Sequence, residues 1–309
     1  MKFVTTKSAT RTAIVIALMT GGVTAYGGGD VPSKASNIGG IINTRHNLTQ
    51  SFLGETALIM DFARNNYGEI CVYCHTPHGA NTTIAAPLWN RTNKANTYNT
   101  YNSSTITQPV SQPGPNSLSC LSCHDGTVAV DSIINMPGSN GFNPNANRNT
   151  VQNNTFLNTW INPNSGLQAS HMALVSPLTS ANGCPLCHSN TGTGALSPSA
   201  PSFDAFLIGT DLTNDHPVGI RYPTTGLGMD FRPTTAVYKN IAFFDNNTNG
   251  TPDTNEIRLY NTGQGFEVEC ASCHDPHGVP SNGSGTVNNK TFMRVSNSGS
   301  GLCLTCHVK

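Results

Sequence analysis

The ten cysteines of this 309-residue chain fall into five Cys-x-x-Cys-His motifs, and no cysteine is left over. This spacing is the pattern of covalent c-type haem attachment, in which each thiol adds to one haem vinyl group and the histidine binds the iron. A zinc site would need pairs of such motifs or further well-placed histidines, and a disulfide would require no histidine. The predicted attachment residues and proximal ligands are Cys71, Cys74, His75, Cys120, Cys123, His124, Cys184, Cys187, His188, Cys270, Cys273, His274, Cys303, Cys306 and His307.

Five further histidines match the axial positions that remain on five irons: His46, His78, His171, His216 and His277. An iron with a protein ligand on each side has no position for a substrate and can only exchange electrons. We therefore predict bis-histidine ligation throughout and no catalytic residue. Methionine is the alternative sixth ligand, and Met172 beside His171 is the ambiguous case.

Two of these histidines, His78 and His277, each follow a proximal histidine by three residues. Three residues span only about 10 Å when fully extended, which is a short path round the edge of a porphyrin. Each is therefore predicted to bind the iron of a neighbouring haem, which would hold two haems close together. A solvated loop histidine is the alternative.

The first 25 residues have the features of a secretory signal. Lys2, Lys7 and Arg11 precede an apolar stretch at 12–19, and small residues end at Ala25, where we expect cleavage. The apolar stretch is too short for a membrane span. Residues 26–309 are therefore expected to form one exported unit, at the cell surface or outside the cell, with the periplasm as the alternative.

Charge and composition limit the partners and the fold. Removing three signal-peptide cations from 16 basic residues leaves 13 against 16 acidic residues, a net charge of −3 before the haem propionates are added. This balance argues against nucleic acid and anionic membranes as partners. Only 10% of residues are charged, polar stretches are long and periodicity is weak. The predicted fold class is mostly irregular coil with few short helices and strands, a single multihaem cytochrome c unit with haem as its core. The candidate elements are a helix at 50–64 and strands at 127–130, 237–244 and 257–260.

Residues 245–256 fit the twelve-residue calcium-loop pattern, with Gly250 at its sixth position. The candidate ligands are Asp245, Asn247, Asn249, Thr251, Asp253 and Glu256. The flanks resemble strands instead of helices, and Pro252 stands at a position that is normally apolar. A plain Asn-Gly hairpin turn is the alternative.

The motifs and their flanks resemble the multihaem c-type cytochromes of metal-reducing bacteria, and more narrowly the outer-surface cytochromes that polymerise into conducting filaments. The resemblance is carried by residues 44–48, 71–79, 120–126, 214–218 and 270–278, which read TRHNL, CVYCHTPHG, CLSCHDG, NDHPV and CASCHDPHG. It implies a continuous haem stack and a homopolymer in which a histidine of one subunit completes a haem of the next. The matching position here is His78, with His46 as runner-up.

The sequence thus favours an exported electron-transfer protein, plausible as a filament subunit that delivers electrons to external acceptors or redox partner proteins. A monomeric periplasmic shuttle is the first alternative. A multihaem reductase is the second; pentahaem nitrite reductases resemble the chain in haem number, but they attach their active haem through a Cys-x-x-Cys-Lys motif, which this sequence lacks.

Overall fold

The computed structural model describes residues 40–49, 64–65, 67, 69–84, 86–91, 96–135, 173–174, 184, 188, 206–225, 227, 229–279 and 291–308. Several sequence expectations lie outside these residues. They are the signal peptide at 1–25, nearly all of the helix candidate at 50–64, and His171, Met172 and Cys187.

The largest regular element is a five-stranded antiparallel sheet with the strand order β1-β5-β4-β3-β2. Its strands are β1 (Ile220–Arg221), β2 (Ala236–Tyr238), β3 (Ile241–Phe243), β4 (Arg258–Asn261) and β5 (Phe266–Val268). Ala242 pairs with Leu259 at the centre, and both residues are buried. The strand candidate at 257–260 corresponds to β4, whereas the candidate at 237–244 is a hairpin of β2 and β3. The chain reverses there at Lys239, which has φ 53°.

The helices of the described part are short. They are α1 (Pro115–His124), α2 (Cys270–Cys273) and α3 (Gly301–Cys306), with 3-10 helices at Ile41–Asn43, Cys71–Tyr73 and Ser298–Ser300. Pro115 stands at the start of α1, where its missing N–H leaves no helical bond unmade. Among the described residues, no helix has the length and apolarity needed to cross a membrane. The strand candidate at 127–130 contributes only an isolated bridge between Ala129 and Ala173.

Buried apolar side chains form three small clusters, and each of them includes or contacts a Cys-x-x-Cys-His motif. Val72 of the first motif packs with Tyr67, Tyr73 and Ile133. Leu121 of the second motif packs with Tyr98 and Leu212. The third cluster covers the sheet, and Cys273 and Cys306 of the fourth and fifth motifs pack against it. The described hydrophobic core therefore packs around the motifs.

Candidate haem-binding site

Where the structure describes them, the Cys-x-x-Cys-His motifs have helical backbone. In four of them the histidine N–H donates to the carbonyl oxygen of the first cysteine, at 2.7 Å for His75, 3.0 Å for His188, 3.1 Å for His274 and 2.9 Å for His307. The second motif ends α1. Residues three and four apart share one face of a helix, so each of the four fully described motifs presents both thiols and the histidine on the same side. None of the nine described cysteines forms a disulfide.

The candidate ligand histidines are held through Nδ1. His75 donates to the carbonyl of Pro87 at 2.7 Å and His124 to that of Phe206 at 2.7 Å. His46 donates to the carbonyl of Pro276 at 3.0 Å, and the Asp275 carboxylate accepts from His277 at 3.0 Å. An acceptor at Nδ1 fixes the tautomer and leaves Nε2 as the nitrogen that binds metal.

Two pairs of histidine rings lie at the distance expected for ligands on opposite sides of one iron. The ring centres of His75 and His277 are 6.1 Å apart with an interplanar angle of 11°. Those of His46 and His124 are also 6.1 Å apart, with an angle of 71°. Imidazoles bound at about 2 Å on each side of a metal hold their ring centres about 6 Å apart. Each pair thus fits one bis-histidine iron and joins a motif histidine to a spare one.

The protonation of the second pair suits metal binding. Burial, together with the neighbouring His124, lowers the pKa of His46 to about 4. Burial also lowers the pKa of His124. Both imidazoles are therefore neutral at neutral pH, which is the form that binds iron. Phe292 stacks on His46 with ring centres 4.5 Å apart and limits the orientations of this ring.

Trp89 adds an independent sign of a bound group beside the first motif. Its ring lies edge-on to His75 at 5.8 Å and is only 8% exposed. Its Nε1–H has no acceptor among the described residues. A buried donor left without a partner costs about 1–3 kcal/mol. A group that carries acceptors, such as a haem propionate, fits this position.

The first and second motifs are linked through residues 90–91. The Asn90 side chain donates to the carbonyl of Val72 in the first motif at 2.6 Å. Arg91 donates to the carbonyl of Ser122 in the second motif at 2.8 Å. Burial, followed by the neighbouring Cys123 thiol, raises the pKa of Cys74 to about 12. The two attachment sites are therefore adjacent.

The second and fourth motifs are in direct contact. The backbone N–H of Cys270 donates to Ser117 in α1 at 2.8 Å. The N–H of Gly114 donates to both carboxylate oxygens of Glu269 at 3.0 and 3.1 Å. A hydrogen bond between the Cys120 and Cys270 thiols raises the pKa of Cys120 and lowers that of Cys270.

Gly114 makes this contact between α1 and α2 close. A Cβ atom at Gly114 would lie 2.6 Å from the nearer oxygen of Glu269. Any larger residue would therefore displace the carboxylate that joins the second motif to the fourth.

The fourth and fifth motifs share the apolar cluster on the sheet. Tyr222, which belongs to that cluster, donates to the carbonyl of Cys306 at 3.2 Å. Burial raises the pKa of Cys273 to about 11 and that of Cys306 to about 12, and in each case a thiol of the other motif contributes. Contacts thus join the first motif to the second, the second to the fourth, and the fourth to the fifth.

The third motif is described only at Cys184 and His188. The N–H of Cys184 donates to the carbonyl of Ala173 at 3.3 Å, and Ala173 forms its bridge with Ala129. This places Cys184 beside the chain that leaves the second motif. His171, its nearest spare histidine in sequence, lies outside the described residues.

Two other candidate ligands, His78 and His216, stand apart from the histidine pairs in the described part of the chain. His78 and His216 are exposed, and neither ring faces another histidine in the described part of the chain. His307 packs on Phe231 with ring centres 4.8 Å apart. Sequence reasoning missed Arg91, Trp89 and Glu269, because single residues of these types in polar stretches carry no recognisable spacing.

The calcium-loop candidate lies between β3 and β4 and is closed by its own hydrogen bonds. Asp245 accepts from the N–H of Gly250 at 2.9 Å, and Glu256 accepts from those of Asn246 and Asp253 at 2.7 and 2.9 Å. Across the described residues, no group of three or more His, Cys, Asp or Glu side chains is arranged to hold a metal ion. Calcium binding at this loop stays a prediction.

One comparison with known proteins bears on the site. Residues 264–309, which include the fourth and fifth motifs, match the model of the doubled CXXCH motif family. The whole chain has no significant match among characterised proteins. The family match indicates covalent c-type haem binding and a cytochrome-like role in electron transfer.

Proposed function

We propose that the chain is an exported electron-transfer protein with five covalently attached c-type haems, each held by two histidines. The observation that carries the proposal is the pairing of His75 with His277 and of His46 with His124, each at 6.1 Å. Bound c-type haem supplies reversible one-electron iron chemistry, and imidazole on both sides leaves no position for a substrate. No enzymatic activity is proposed.

The chain's own residues perform two tasks in this proposal. The Nδ1 hydrogen bonds hold each imidazole in one tautomer and one orientation, which limits rearrangement when the charge on the iron changes. The contacts between motifs keep neighbouring attachment sites adjacent, as in the hydrogen bond from Cys270 to Ser117 at 2.8 Å. The order first, second, fourth, fifth is the path that these contacts favour.

The haem content and ligation are tested on the secreted protein. We expect intact mass and pyridine haemochrome assays to give five haems per chain. We expect a fully low-spin ferric spectrum and no carbon monoxide binding after reduction. A high-spin centre, or one haem that binds carbon monoxide, would show an open iron and favour the reductase alternative.

We further propose that the subunits form a homopolymer at the cell surface or outside the cell, in which His78 binds a haem iron of the adjacent subunit. The support is the exposure of His78 and the resemblance of the motifs to filament-forming cytochromes. His46, the other candidate, faces His124 of its own chain, which favours His78. A monomeric periplasmic shuttle is the alternative.

The polymer is tested with His78→Ala, and Thr82→Ala, an exposed residue of the same segment, is the matched control. We expect filaments from the wild type and from Thr82→Ala in electron micrographs. The His78→Ala protein is expected to remain small with its haem content near five. Filaments from His78→Ala would remove His78 from this role, and a monodisperse wild-type monomer would favour the shuttle.

We also propose that residues 245–256 bind Ca²⁺ and that the bound ion stabilises the connection between β3 and β4. We expect Ca²⁺ to raise the thermal midpoint of the wild type. Glu256→Gln, which loses the bidentate carboxylate, should not respond. An unresponsive wild type would leave the loop as a plain hairpin turn.

A further inference from the structure

We propose that Arg91 is a fixed positive charge that raises the reduction potentials of the haems held by the first and second motifs. This inference rests on the proposed function, because it requires haem at these motifs.

Arg91 is completely buried, and its hydrogen bonds all go to neutral oxygen atoms. Its side chain is 0% exposed. Nε donates to the hydroxyl of Ser122 at 3.1 Å, and Nη2 donates to the carbonyls of Ser122 and Ala129 at 2.8 and 3.0 Å. Nη1 donates to the carbonyl of Val130 at 2.8 Å. A guanidinium stays charged in proteins, so these contacts solvate the charge without cancelling it.

The position of Arg91 places its charge between two attachment sites. Ser122 lies between Cys120 and Cys123 of the second motif. Asn90, the residue before Arg91, donates its N–H to the carbonyl of Cys74 in the first motif at 2.8 Å. The cation is therefore held by backbone hydrogen bonds that lead to both motifs.

The neighbouring buried carboxylates accept hydrogen bonds from groups other than Arg91. Asp131 follows Val130 in the chain and is 0% exposed, and its carboxylate accepts from the N–H of Asn65 at 2.7 Å. Arg64, which precedes Asn65, is also buried, at 1% exposed. Asp125, directly after the second motif, is buried as well at 7% exposed, and its carboxylate accepts from Asn96 and Tyr98 at 2.7 and 3.0 Å. Neither carboxylate is a hydrogen-bond acceptor of Arg91, whose donor nitrogens are all taken by neutral oxygens.

Arg294 occupies a comparable position at the fourth motif but is neutralised. It is 3% exposed, and its Nε donates to the carbonyl of Ala271, between Cys270 and Cys273, at 3.0 Å. Its Nη1 forms an ion pair with Asp275 at 3.0 Å. The charge of Arg294 is therefore paired with a carboxylate, whereas Arg91 is hydrogen-bonded to neutral oxygens alone.

The direction of the effect follows from electrostatics. Reduction lowers the charge of an iron centre by one, so a fixed cation stabilises the reduced form relative to the oxidised form. The interaction is stronger in a buried environment than in water, because the effective dielectric constant is lower. Removal of the Arg91 charge should therefore lower the potentials of the two nearest haems.

The test is a spectroelectrochemical titration of the holoprotein, followed by electron paramagnetic resonance. We expect Arg91→Gln to shift two of the five haems to lower potential. The shift is on the order of a tenfold change in the oxidised-to-reduced ratio, about 59 mV for a one-electron couple. Arg91→Lys keeps the charge and should stay near the wild type. Equal shifts in both variants, or no shift in Arg91→Gln, would overturn the inference.

Ser122→Asp gives a second test that keeps the arginine. The new carboxylate stands beside Nε of Arg91 and should lower the same two potentials, whereas an unchanged titration would overturn the inference even if Arg91→Gln failed to load haem. The angles of 11° and 71° between the paired imidazoles should give distinct low-spin ferric signals that assign the shifts.

The wild-type spectrum separates the role of Arg91 from the proposed five-haem function. Five low-spin haems that ignore these substitutions would refute only the role of Arg91, and missing haems would refute the proposed function.

Discussion

At the scale of residues, hydrogen bonds from Nδ1 orient the histidine rings that are candidate iron ligands. His75 and His46 both use Nδ1 to donate to a backbone carbonyl, of Pro87 and Pro276. Because Pro276 lies between His274 and His277, the carbonyl that orients His46 belongs to the same short loop that supplies a ligand facing His75. One loop of the fourth motif therefore positions side chains at two other sites, and its sequence is constrained at each residue.

His277 gives a prediction at this scale. We expect His277→Ala to create one iron with an open axial position, detected as one equivalent of carbon monoxide bound by the reduced protein. His277→Met should keep six ligands at that iron and raise its potential, because methionine stabilises the reduced state. If His277→Ala bound no carbon monoxide, the pairing of His277 with His75 would be wrong.

Gly126 gives a second prediction, because it combines a left-handed backbone with a close approach. Its φ is 72°, and a Cβ atom would lie 1.8 Å from the carbonyl oxygen of Leu174. Gly126→Ala should therefore destabilise the holoprotein by more than about 2 kcal/mol. Gly209→Ala is the matched control, since φ there is 77° and a Cβ atom meets nothing within 4 Å. Thermal unfolding should show a larger loss for Gly126→Ala, and equal losses would contradict the close contact.

At the scale of elements, the last strand of the sheet leads directly into the fourth motif and places it against the second. β5 ends at Val268, Glu269 caps α2, and Ser272 accepts from the N–H of Glu269 at 2.9 Å. The Glu269 carboxylate also accepts from Gly114 at the start of α1. A single buried acid thus fixes the ends of two helices that each carry a haem-attachment motif.

Glu269 makes the stability depend on pH. Burial raises its pKa from 4.5 to about 7. Between these values the folded chain keeps a proton that the unfolded chain has released. The stability from this group is therefore complete below pH 4.5 and is lost as the pH rises through 7. We expect Glu269→Gln to remove a decline of about 2 kcal/mol between pH 5 and pH 8.

The measurement is the difference in unfolding midpoint between Glu269→Gln and the wild type across this range. Asp230→Asn, at an exposed acid, controls for the general effect of removing one carboxylate. Parallel pH profiles for the wild type and Glu269→Gln would show that the carboxylate does not titrate in this window.

At the scale of the whole molecule, the sequence predicted the chemistry better than the arrangement. The motifs can be recognised in the sequence because covalent attachment fixes the spacing of two cysteines and one histidine. The contact between Ser117 and Cys270 is not readable, because it depends on the path of about 150 intervening residues. Likewise, nothing local to His277 indicates that it faces His75 and not another motif histidine.

The sheet shows the same limit for backbone structure. The alternation in residues 257–260 predicted β4 closely, since one face of that strand is buried. The hairpin of β2 and β3 was missed because its turn places Lys239 at φ 53°. The usual signals for such turns are Asn-Gly or Asp-Gly. The apolar run therefore reads as one strand when only the sequence is considered.

The ring of His277 opposite His75 has a consequence for how the protein matures. If the chain is exported as proposed, the first motif emerges about 200 residues before His277. On the proposed assignment, a haem joined to Cys71 and Cys74 stays one ligand short until the fourth motif has been translocated and folded. Premature termination before residue 277 would therefore release a species with a reactive iron. On this assignment, the haem of the first motif gains its second axial ligand only when His277 has folded against it.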